Sequence, residues 1–324
     1  MRVTRDVVVA GAATRDLIPG DPLGWRPGGG VAYGALLLAR LGLRVTAIVG
    51  LDPDALDAGE PVALRAAGVD VRPVALARGP VFENREGDAG RVQLCLSASD
   101  PIPASSLPDD CRAAPAYLLA PVAGELGDDW AAQLPPASLV ALAWQGLLRD
   151  LVPGGRTRAR PPHVTRLVAR ADLIGVSRED LASAGDATPL DAVLAPGQGL
   201  ALTAGRAGGI WLRRTVPGRL AARRWRAVPA REEIDPVGTG DVFLAVLLAG
   251  MIIQGRRDAR AGTVAGPAPP AVIRDALGAG PWLRCAAVAA SLTVEGGGLA
   301  GVPDLPAIRA RLADIGREPG GGTG

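Results

Sequence analysis

Short apolar runs and amphipathic helical patterns alternate along the first part of the chain. Residues 7–10 form a β-branched run that ends at Gly11, which predicts a buried strand. Residues 31–41 have the apolar spacing of a helix that Gly42 ends, and residues 45–49 predict a second strand. A further helix is predicted at 55–67 and a strand at 69–74. Alternation of this kind is typical of parallel βαβ units.

The same alternation returns in the second half of the chain. We predict strands at residues 116–120, 139–143, 171–175, 200–203, 210–213 and 222–228, and helices at 282–294 and 305–315. The segment 255–270 is rich in Gly, Pro, Ala and Arg, which predicts a loop. Composition also predicts a disordered tail at 316–324. The pattern therefore indicates an α/β protein, built as one large domain or as two smaller ones.

One segment departs from this alternation. Residues 81–84 and 91–96 have the composition of two strands, and a glycine-containing turn at residues 86–90 separates them. Two strands joined by such a turn predict a hairpin. We expect this hairpin to lie outside the main sheet.

The charged and reactive side chains exclude several classes of protein. The 324 residues include 35 basic and 33 acidic ones, so no nucleic-acid-binding charge is expected. Every basic residue is Arg, and without Lys neither a P-loop lysine nor a Schiff base is available. His163 is the only histidine, which argues against a Ser-His-Asp hydrolase. One His with the scattered Cys95, Cys111 and Cys285 does not make a zinc cluster.

We expect a soluble, cytoplasmic protein without a membrane partner. Three widely spaced cysteines are typical of a reducing compartment. The N-terminus lacks the pattern of a signal peptide, because charged residues soon interrupt its first apolar run. The longest apolar run, at residues 242–253, is too short to cross a bilayer.

The strongest candidate for chemistry is the run Gly238-Thr239-Gly240-Asp241, directly before a long apolar helical pattern. The glycines allow backbone N–H groups to converge, and the first turn of a helix adds unpaired donors. Negative charge that develops in a reaction would be stabilised there, and Asp241 could take a proton from a hydroxyl. This combination indicates phosphoryl transfer. An ordinary loop with an Asp cap has the same local pattern, so the motif alone leaves both open.

Three motifs in this order resemble those of the ribokinase-like sugar and nucleoside kinases, the PfkB family. Residues 235–243, Asp-Pro-Val-Gly-Thr-Gly-Asp-Val-Phe, resemble the C-terminal signature of that family. The triple glycine at 28–30, with Leu-Gly at 41–42 and Gly-Leu-Asp at 50–52, resembles its N-terminal signature. Thr-Ala-Gly at 203–205 resembles a Thr-x-Gly strand end that lies along the nucleotide phosphates. The resemblance covers nearly the whole chain.

The resemblance implies a single domain of residues 1–315, a ribokinase-like three-layer α/β/α sandwich with a mostly parallel central sheet and a small β lid. The lid would come from about residues 14–28 and 78–100. ATP and Mg²⁺ are the implied cofactors, and a small hydroxylated molecule is the implied acceptor. A homodimer through the lid is a further expectation, although the shortness of this lid leaves a monomer open.

The resemblance also implies roles for particular residues. Asp241 would be the catalytic base, and the amides of Gly238, Thr239 and Gly240 would form the anion hole. The other implied positions are Asp16, Gly28, Gly29 and Tyr33 for the acceptor, Ser177, Thr203, Gly205 and Arg206 for the nucleotide, and Asp180 for magnesium.

Some positions depart from the family pattern. Tyr33 stands where the family usually has an Asn that touches the sugar, so the acceptor cannot be carried over from ribokinase. Ser177 and Asp180 stand where relatives have Asn and Glu near the magnesium waters, and the shorter Asp changes the geometry. Arg149 follows a predicted strand and suits either a phosphate contact or a structural role.

Several functions stay open at this point. The acceptor could be a sugar, a nucleoside or a cyclitol. A non-catalytic ligand-binding protein that kept the fold is favoured by Tyr33 and Ser177, and Asp241 with its flanking glycines argues against it. A dinucleotide-binding oxidoreductase is disfavoured, because no Gly-x-Gly-x-x-Gly follows the first strand directly.

Overall fold

The computed structural model describes residues 5–18, 20–21, 24–57, 59–87, 90–182, 190–216, 219–260 and 280–317. Sixteen strands and ten α-helices lie within these residues. The strands are β1 (Val7–Ala12), β2 (Thr14–Leu17), β3 (Trp25–Gly28), β4 (Val45–Leu51), β5 (Asp70–Ala75), β6 (Val81–Gly87), β7 (Gly90–Ser97), β8 (Ala116–Leu119), β9 (Leu139–Ala143), β10 (Arg149–Asp150), β11 (Gly155–Arg156), β12 (Arg158–Ala159), β13 (Leu173–Ser177), β14 (Gly199–Thr203), β15 (Gly209–Val216) and β16 (Arg219–Trp225). The helices are α1 (Gly30–Arg40), α2 (Pro53–Leu56), α3 (Gly59–Ala66), α4 (Asp129–Gln133), α5 (Arg166–Arg170), α6 (Arg178–Ala182), α7 (Leu190–Val193), α8 (Thr239–Arg260), α9 (Pro281–Val294) and α10 (Leu305–Arg317).

Nine strands form the central sheet, in the order β16-β15-β14-β13-β9-β8-β1-β4-β5. The seven strands from β14 to β5 pair in parallel, and β15 and β16 add an antiparallel edge. Both faces of the sheet are buried. In β1, for example, Val7 and Val9 belong to one core cluster while Val8 and Ala10 belong to the other. This burial explains why the parallel strands are continuous apolar runs.

Helices cover both faces of the sheet. Side chains of α1, α3, α8, α9 and α10 form the core on one face, and side chains of α4, α5 and α7 form it on the other. The result is a three-layer α/β/α sandwich with a mostly parallel central sheet, which confirms the predicted fold class.

The longest described helix, α8, lies at the centre of its layer. By length and composition alone it could cross a membrane, but 67% of its apolar window is buried inside the protein. It packs against both α1 and α9. This burial is that of a core helix.

A second sheet of five strands lies beside the first, in the order β11-β7-β6-β2-β3. We call it the lid sheet. Strands β2 and β6 pair in parallel, and the other pairs are antiparallel. Four of its strands come from the segments 14–28 and 78–100, and the fifth, β11, comes from a region where the sequence predicted no strand. The closing of this sheet as a lid stays a prediction.

Several boundaries differ from the sequence expectations: β16, for example, covers Arg219–Trp225 where a strand was predicted at 222–228, and three helices differ as well. Helix α8 continues to Arg260, six residues into the predicted loop, because the helix is anchored in the core and even Gly255 is buried. The rest of that segment, residues 261–279, lies outside the described residues. The predicted helix at 55–67 is two helices, with Asp52 capping the first. Helix α10 includes Gly316 and Arg317, and the rest of the predicted tail, 318–324, is not described.

Candidate active site

A cavity of about 710 Å³ lies between the two sheets. Its floor includes the last residues of three parallel strands, Ala143 of β9, Ser177 of β13 and Thr203 of β14. Its roof includes Asp16, Phe82, Asn84 and Gln93 of the lid sheet. Ligands of parallel α/β sheets bind outside the carboxyl ends of the strands, which is where this cavity lies.

The turn at the start of α8 forms one wall of the cavity. Residues 236–241 line it, and the helix begins at Thr239. Gly238 has a φ of 78°, which favours glycine, and its carbonyl accepts the first helical bond from Val242 N at 2.9 Å. The amides of the first helical turn have no acceptor within the helix. Thr239 N bonds weakly to Pro236 O, at 3.4 Å, and the next amides of the turn offer donors to an anion beside it.

Two flanking side chains of the same motif hold this turn in place. Phe243 stacks on Trp225 of β16, with ring centroids 4.9 Å apart. Asp235 accepts hydrogen bonds from Val237 N at 3.0 Å and from Gly298 N at 3.1 Å. The turn is thus fixed by packing on one side and by hydrogen bonds on the other.

Asp241 lies in the cavity wall, partly buried in the first turn of α8. Burial raises the pKa of its carboxyl to about 7, while the Arg149 guanidinium lowers this pKa and the Asp180 carboxylate raises it. A carboxyl group with such a pKa can take and release a proton near neutral pH.

Helix α1 packs directly behind this turn. The ring of Tyr33 is 1% exposed, and a Cβ built on Gly238 would lie 2.2 Å from its Cδ1 atom. A Cβ built on Gly30 would lie 2.5 Å from Asp241 Oδ1. Tyr33, which the resemblance assigned to the acceptor, therefore lines the cavity from beneath the turn, with its ring against Gly238.

The other residues expected to bind the acceptor lie at the root of the lid sheet. Asp16 lies on β2, opposite Phe82 of β6 and Arg26 of β3, and it lines the cavity. A Cβ on Gly28 would lie 2.5 Å from Asp16 Oδ2, so Gly28 supports Asp16 from behind and does not line the cavity. Gly29 lines the cavity and has a φ of 101° at the start of α1.

The residues expected to bind the nucleotide divide into two groups. Ser177, Thr203 and Gly205 line the cavity together. Arg206 does not, since its side chain is 85% exposed and pairs with Glu233. The described cations that line the cavity are Arg149, Arg156 and Arg178.

Asp180 lines the cavity, but its carboxylate is already engaged. Ser177 Oγ and the Nε2 atom of Gln145 bond to it, the latter at 3.1 Å, and Arg149 pairs with it at 3.1 Å. Among the described residues, no group of three His, Cys, Asp or Glu side chains could hold an ion. This donor set does not fit a Mg²⁺ ion bound directly by the protein. The expected role of Asp180 near a hydrated Mg²⁺ ion stays a prediction.

Sequence reasoning did not single out three cavity residues that bond to one another or to Asp180. Gln93 and Asn84 pair across β7 and β6, with Gln93 Nε2 donating to Asn84 Oδ1 at 3.2 Å. Gln145 donates to Asp180 from the loop after β9. No local motif marks these amides. Only the alternation of sides along β6 and β7 could have suggested which of them face inward.

The structure closely resembles several solved structures over almost its whole length. A ribokinase from Giardia lamblia aligns with a TM-score of 0.69 at 15% identity, covering 96% of this chain and 99% of that one. An Arabidopsis thaliana ribokinase complexed with ribose and ATP gives 0.61 at 19%, covering 95% and 99%. A pyrophosphate-dependent kinase of the ribokinase family, complexed with a pyrophosphate analog and myo-inositol, gives 0.65 at 19%, covering 94% and 99%.

The chain has the ribokinase fold. This confirms the three-layer sandwich that the motifs implied. Neither a family model nor a curated protein matches the sequence. With identities below 20%, the likeness is one of backbone architecture, and the chemistry has to be argued from the side chains of this ribokinase fold.

Proposed function

We propose that this protein is a kinase that transfers the γ-phosphoryl group of ATP to a hydroxyl of a small sugar-like acceptor. One observation carries this proposal. Asp241, with a pKa of about 7, lies beside the first-turn amides of α8, and both face the cavity between the sheets. A base and an anion site in one cavity are what phosphoryl transfer needs from a protein.

In the proposed reaction the acceptor lies under the lid sheet with its hydroxyl at Asp241. The carboxylate takes the hydroxyl proton while the acceptor oxygen forms a bond to the γ-phosphorus. The bond between that phosphorus and the β–γ bridging oxygen breaks, and ADP leaves. The amides around Gly238, Thr239 and Gly240 stabilise the charge on the transferring group, and Asp16 orients the acceptor from β2.

The donor side of the proposal is ATP beside Thr203, Gly205 and Ser177. Its support is the position of these residues at the ends of β14 and β13, together with a structural neighbour that was solved with ribose and ATP. Mg²⁺, which supplies charge neutralisation in such reactions, would enter on the phosphates of ATP rather than on Asp180. Because another neighbour is pyrophosphate-dependent, pyrophosphate is the second donor to test.

The cavity limits the chemical class of the acceptor but does not identify the compound. Its roof offers the polar groups of Asp16, Asn84 and Gln93 beside the ring of Phe82, a mixture that suits a polyhydroxylated ring. A sugar and a cyclitol both fit this description, and a nucleoside adds a base that would need further apolar contact. We further expect the enzyme to act in the cytoplasm, and the homodimer through the lid remains part of the proposal.

The test is product formation with a matched inactive variant. ADP release from Mg-ATP is measured with pentoses, hexoses, cyclitols and nucleosides, and phosphate release is measured with pyrophosphate as the donor. Asp241→Asn should lose at least about 100-fold in kcat and keep its affinity for ATP. Its thermal midpoint should not fall, because the neutral amide replaces a carboxylate that burial disfavours.

Two outcomes would contradict the proposal in different ways. Turnover that Asp241→Asn retains would remove Asp241 from the mechanism. Binding of ATP without turnover of any acceptor would favour a ligand-binding protein that kept the fold.

A further inference from the structure

Arg149 connects the two sides of the cavity. It lies on β10, just after the loop that follows β9, and its side chain is 17% exposed. Its Nη2 atom is 3.1 Å from Asp180 Oδ1, at the start of α6, the helix that follows β13 of the main sheet. Its Nη1 atom donates to Gln93 Oε1 at 3.1 Å, on β7 of the lid sheet. One guanidinium group therefore bridges the floor and the roof.

The bridge continues in both directions. On the roof, Gln93 donates through Nε2 to Asn84 on the neighbouring strand β6. On the floor, Asp180 is also held by Gln145 and by Ser177, the last residue of β13. The polar chain thus runs from two lid strands to the carboxyl end of a central strand. All its members line the cavity in which Asp241 lies.

We infer that Arg149 is a positioning residue, which seats the lid sheet on the main sheet and places a fixed positive charge beside Asp241. The hydrogen bonds of Arg149 to Gln93 and Asp180 carry the seating of the lid sheet. The effect of its charge on catalysis rests on the proposed function.

The positive charge of Arg149 offsets part of the negative charge around Asp241. Charged groups that line the cavity around Asp241 are Asp16, Arg149, Arg156, Arg178, Glu179 and Asp180. Burial raises the pKa of Asp241, Arg149 lowers it, and Asp180 raises it. Loss of the Arg149 charge would leave Asp241 facing an uncompensated Asp180. The pKa of the base would then rise, and less of it would be ionised at neutral pH.

The bridge also bears on whether Asp180 could bind a metal ion directly. A carboxylate that is paired with a guanidinium and bonded by an amide and a hydroxyl has little capacity left for a cation. Arg149 therefore provides positive charge at a position where the family resemblance implied magnesium.

The first experiment measures the bridge without relying on activity. Amide hydrogen exchange is compared for the wild type, Arg149→Gln and a matched control, Arg160→Gln. Arg160 pairs with the exposed Asp150 and does not line the cavity. We expect exchange at residues 92–95 of β7 to be at least about fivefold faster in Arg149→Gln only, because local opening becomes easier. Unchanged exchange in a folded Arg149→Gln would overturn the inference.

The second experiment measures the charge. The acid limb of kcat/KM for the acceptor should move to higher pH by about one unit or more in Arg149→Gln. In Arg149→Lys, which keeps the charge, the acid limb should stay close to its wild-type position. Arg149→Gln combined with Asp180→Asn should return the limb towards the wild type, because both charges are then absent. An equal loss of kcat/KM at every pH, without a shift of the acid limb, would show that Arg149 has only a structural role. It would overturn the inference about its charge.

The two experiments separate this inference from the proposed function. A wild-type protein that phosphorylates no acceptor would contradict the kinase and the charge role, while the exchange data would still decide the bridge. A working kinase with unchanged exchange and an unshifted limb would contradict the inference alone.

Discussion

At the scale of single residues, the two glycines that flank Thr239 have different physical requirements. Gly238 has a φ of 78°, and a Cβ there would meet the ring of Tyr33. Gly240 lies in the first turn of α8, and a Cβ there would have nothing within 4 Å. The sequence motif does not distinguish the two glycines. The packing shows that only position 238 requires glycine.

We therefore expect Gly238→Ala to destabilise the protein by about 2 kcal/mol or more, from backbone strain and from the collision with Tyr33. Gly240→Ala should be neutral or stabilising by up to about 1 kcal/mol, because Ala favours helix. Urea unfolding followed by circular dichroism measures both. Equal unfolding free energies for the two variants would show that Tyr33 does not constrain the turn.

The pKa of Asp241 makes a second prediction at this scale. The base accepts a proton only as a carboxylate, so kcat/KM for the acceptor should rise about tenfold per pH unit below pH 7 and level off above it. The direction follows from the raised pKa, since a carboxyl group near its ordinary value would already be ionised at pH 5. A profile that is flat between pH 5 and 8 would contradict the assignment of Asp241 as the base.

At the scale of elements, the root of the lid sheet is tied to the main sheet through Asp52. This residue is 4% exposed, caps α2 through Ala55 N at 2.8 Å and accepts from Gly79 N at 3.2 Å. Arg15 of β2 pairs with it at 2.6 Å and also pairs with the exposed Asp54 at 2.7 Å. One arginine thus has a buried partner and an exposed partner, which makes a controlled comparison available.

Asp52→Asn should lower the free energy of unfolding by about 2–4 kcal/mol, because it removes the charge of a buried pair and weakens a helix cap. Asp54→Asn, which removes the exposed partner of the same Arg15, should cost less than about 1 kcal/mol. Denaturant titration of the two variants gives the comparison. Similar costs for both would mean that the Asp52 pair is as well solvated as the Asp54 pair and does not anchor the lid.

At the scale of the whole molecule, the cavity exists because two separate sheets face each other across it. Residues distant in sequence, such as Asp16, Gln93, Asp180 and Asp241, line one volume of about 710 Å³. A ligand that contacts both sheets stabilises their arrangement relative to the unfolded chain. Binding should therefore be visible as stability even where no reaction occurs.

We expect ATP with Mg²⁺ at 100 times its dissociation constant to stabilise the fold by about 2.7 kcal/mol. Asp241→Asn should show the same stabilisation, because the variant loses a base and not a nucleotide contact. Differential scanning calorimetry with ATP, pyrophosphate and each acceptor measures the effect. A rise of the thermal midpoint with pyrophosphate but not with ATP would show that the phosphoryl donor is pyrophosphate and contradict ATP as the donor.

Much of the fold follows from local pattern. Apolar runs such as 139–143 coincide with observed strands, because a strand buried on both faces needs a continuous apolar sequence. The glycines at 238 and 240 marked the turn at the start of α8, because backbone geometry there depends on the residues themselves. Helix ends were harder to predict. Gly255 suggested a break in α8, whereas packing in the core continues the helix.

Of the site, the sequence predicted mainly those residues that belong to recognisable motifs. Asp16, Gly29, Ser177, Thr203, Gly205 and the turn of residues 238–241 were expected together, and they line one cavity. Arg206 was expected there and is instead exposed, since its loop directs the side chain to Glu233. Tyr33 lies beneath the turn, where its ring supports Gly238. Side-chain direction in loops depends on contacts with other segments, which the local sequence does not contain.

The sequence by itself therefore determined the alternation of strands and helices, the apolar faces and the glycine turn with its acid, because each depends on neighbouring residues. The tertiary structure alone decided which distant groups meet. It placed Arg149 between Gln93 of the lid sheet and Asp180 of α6, the helix that follows β13, and it placed both charges near Asp241. The pKa of that base, and with it the proposed chemistry, depends on burial and on charges far apart in sequence, and only the folded chain brings these together.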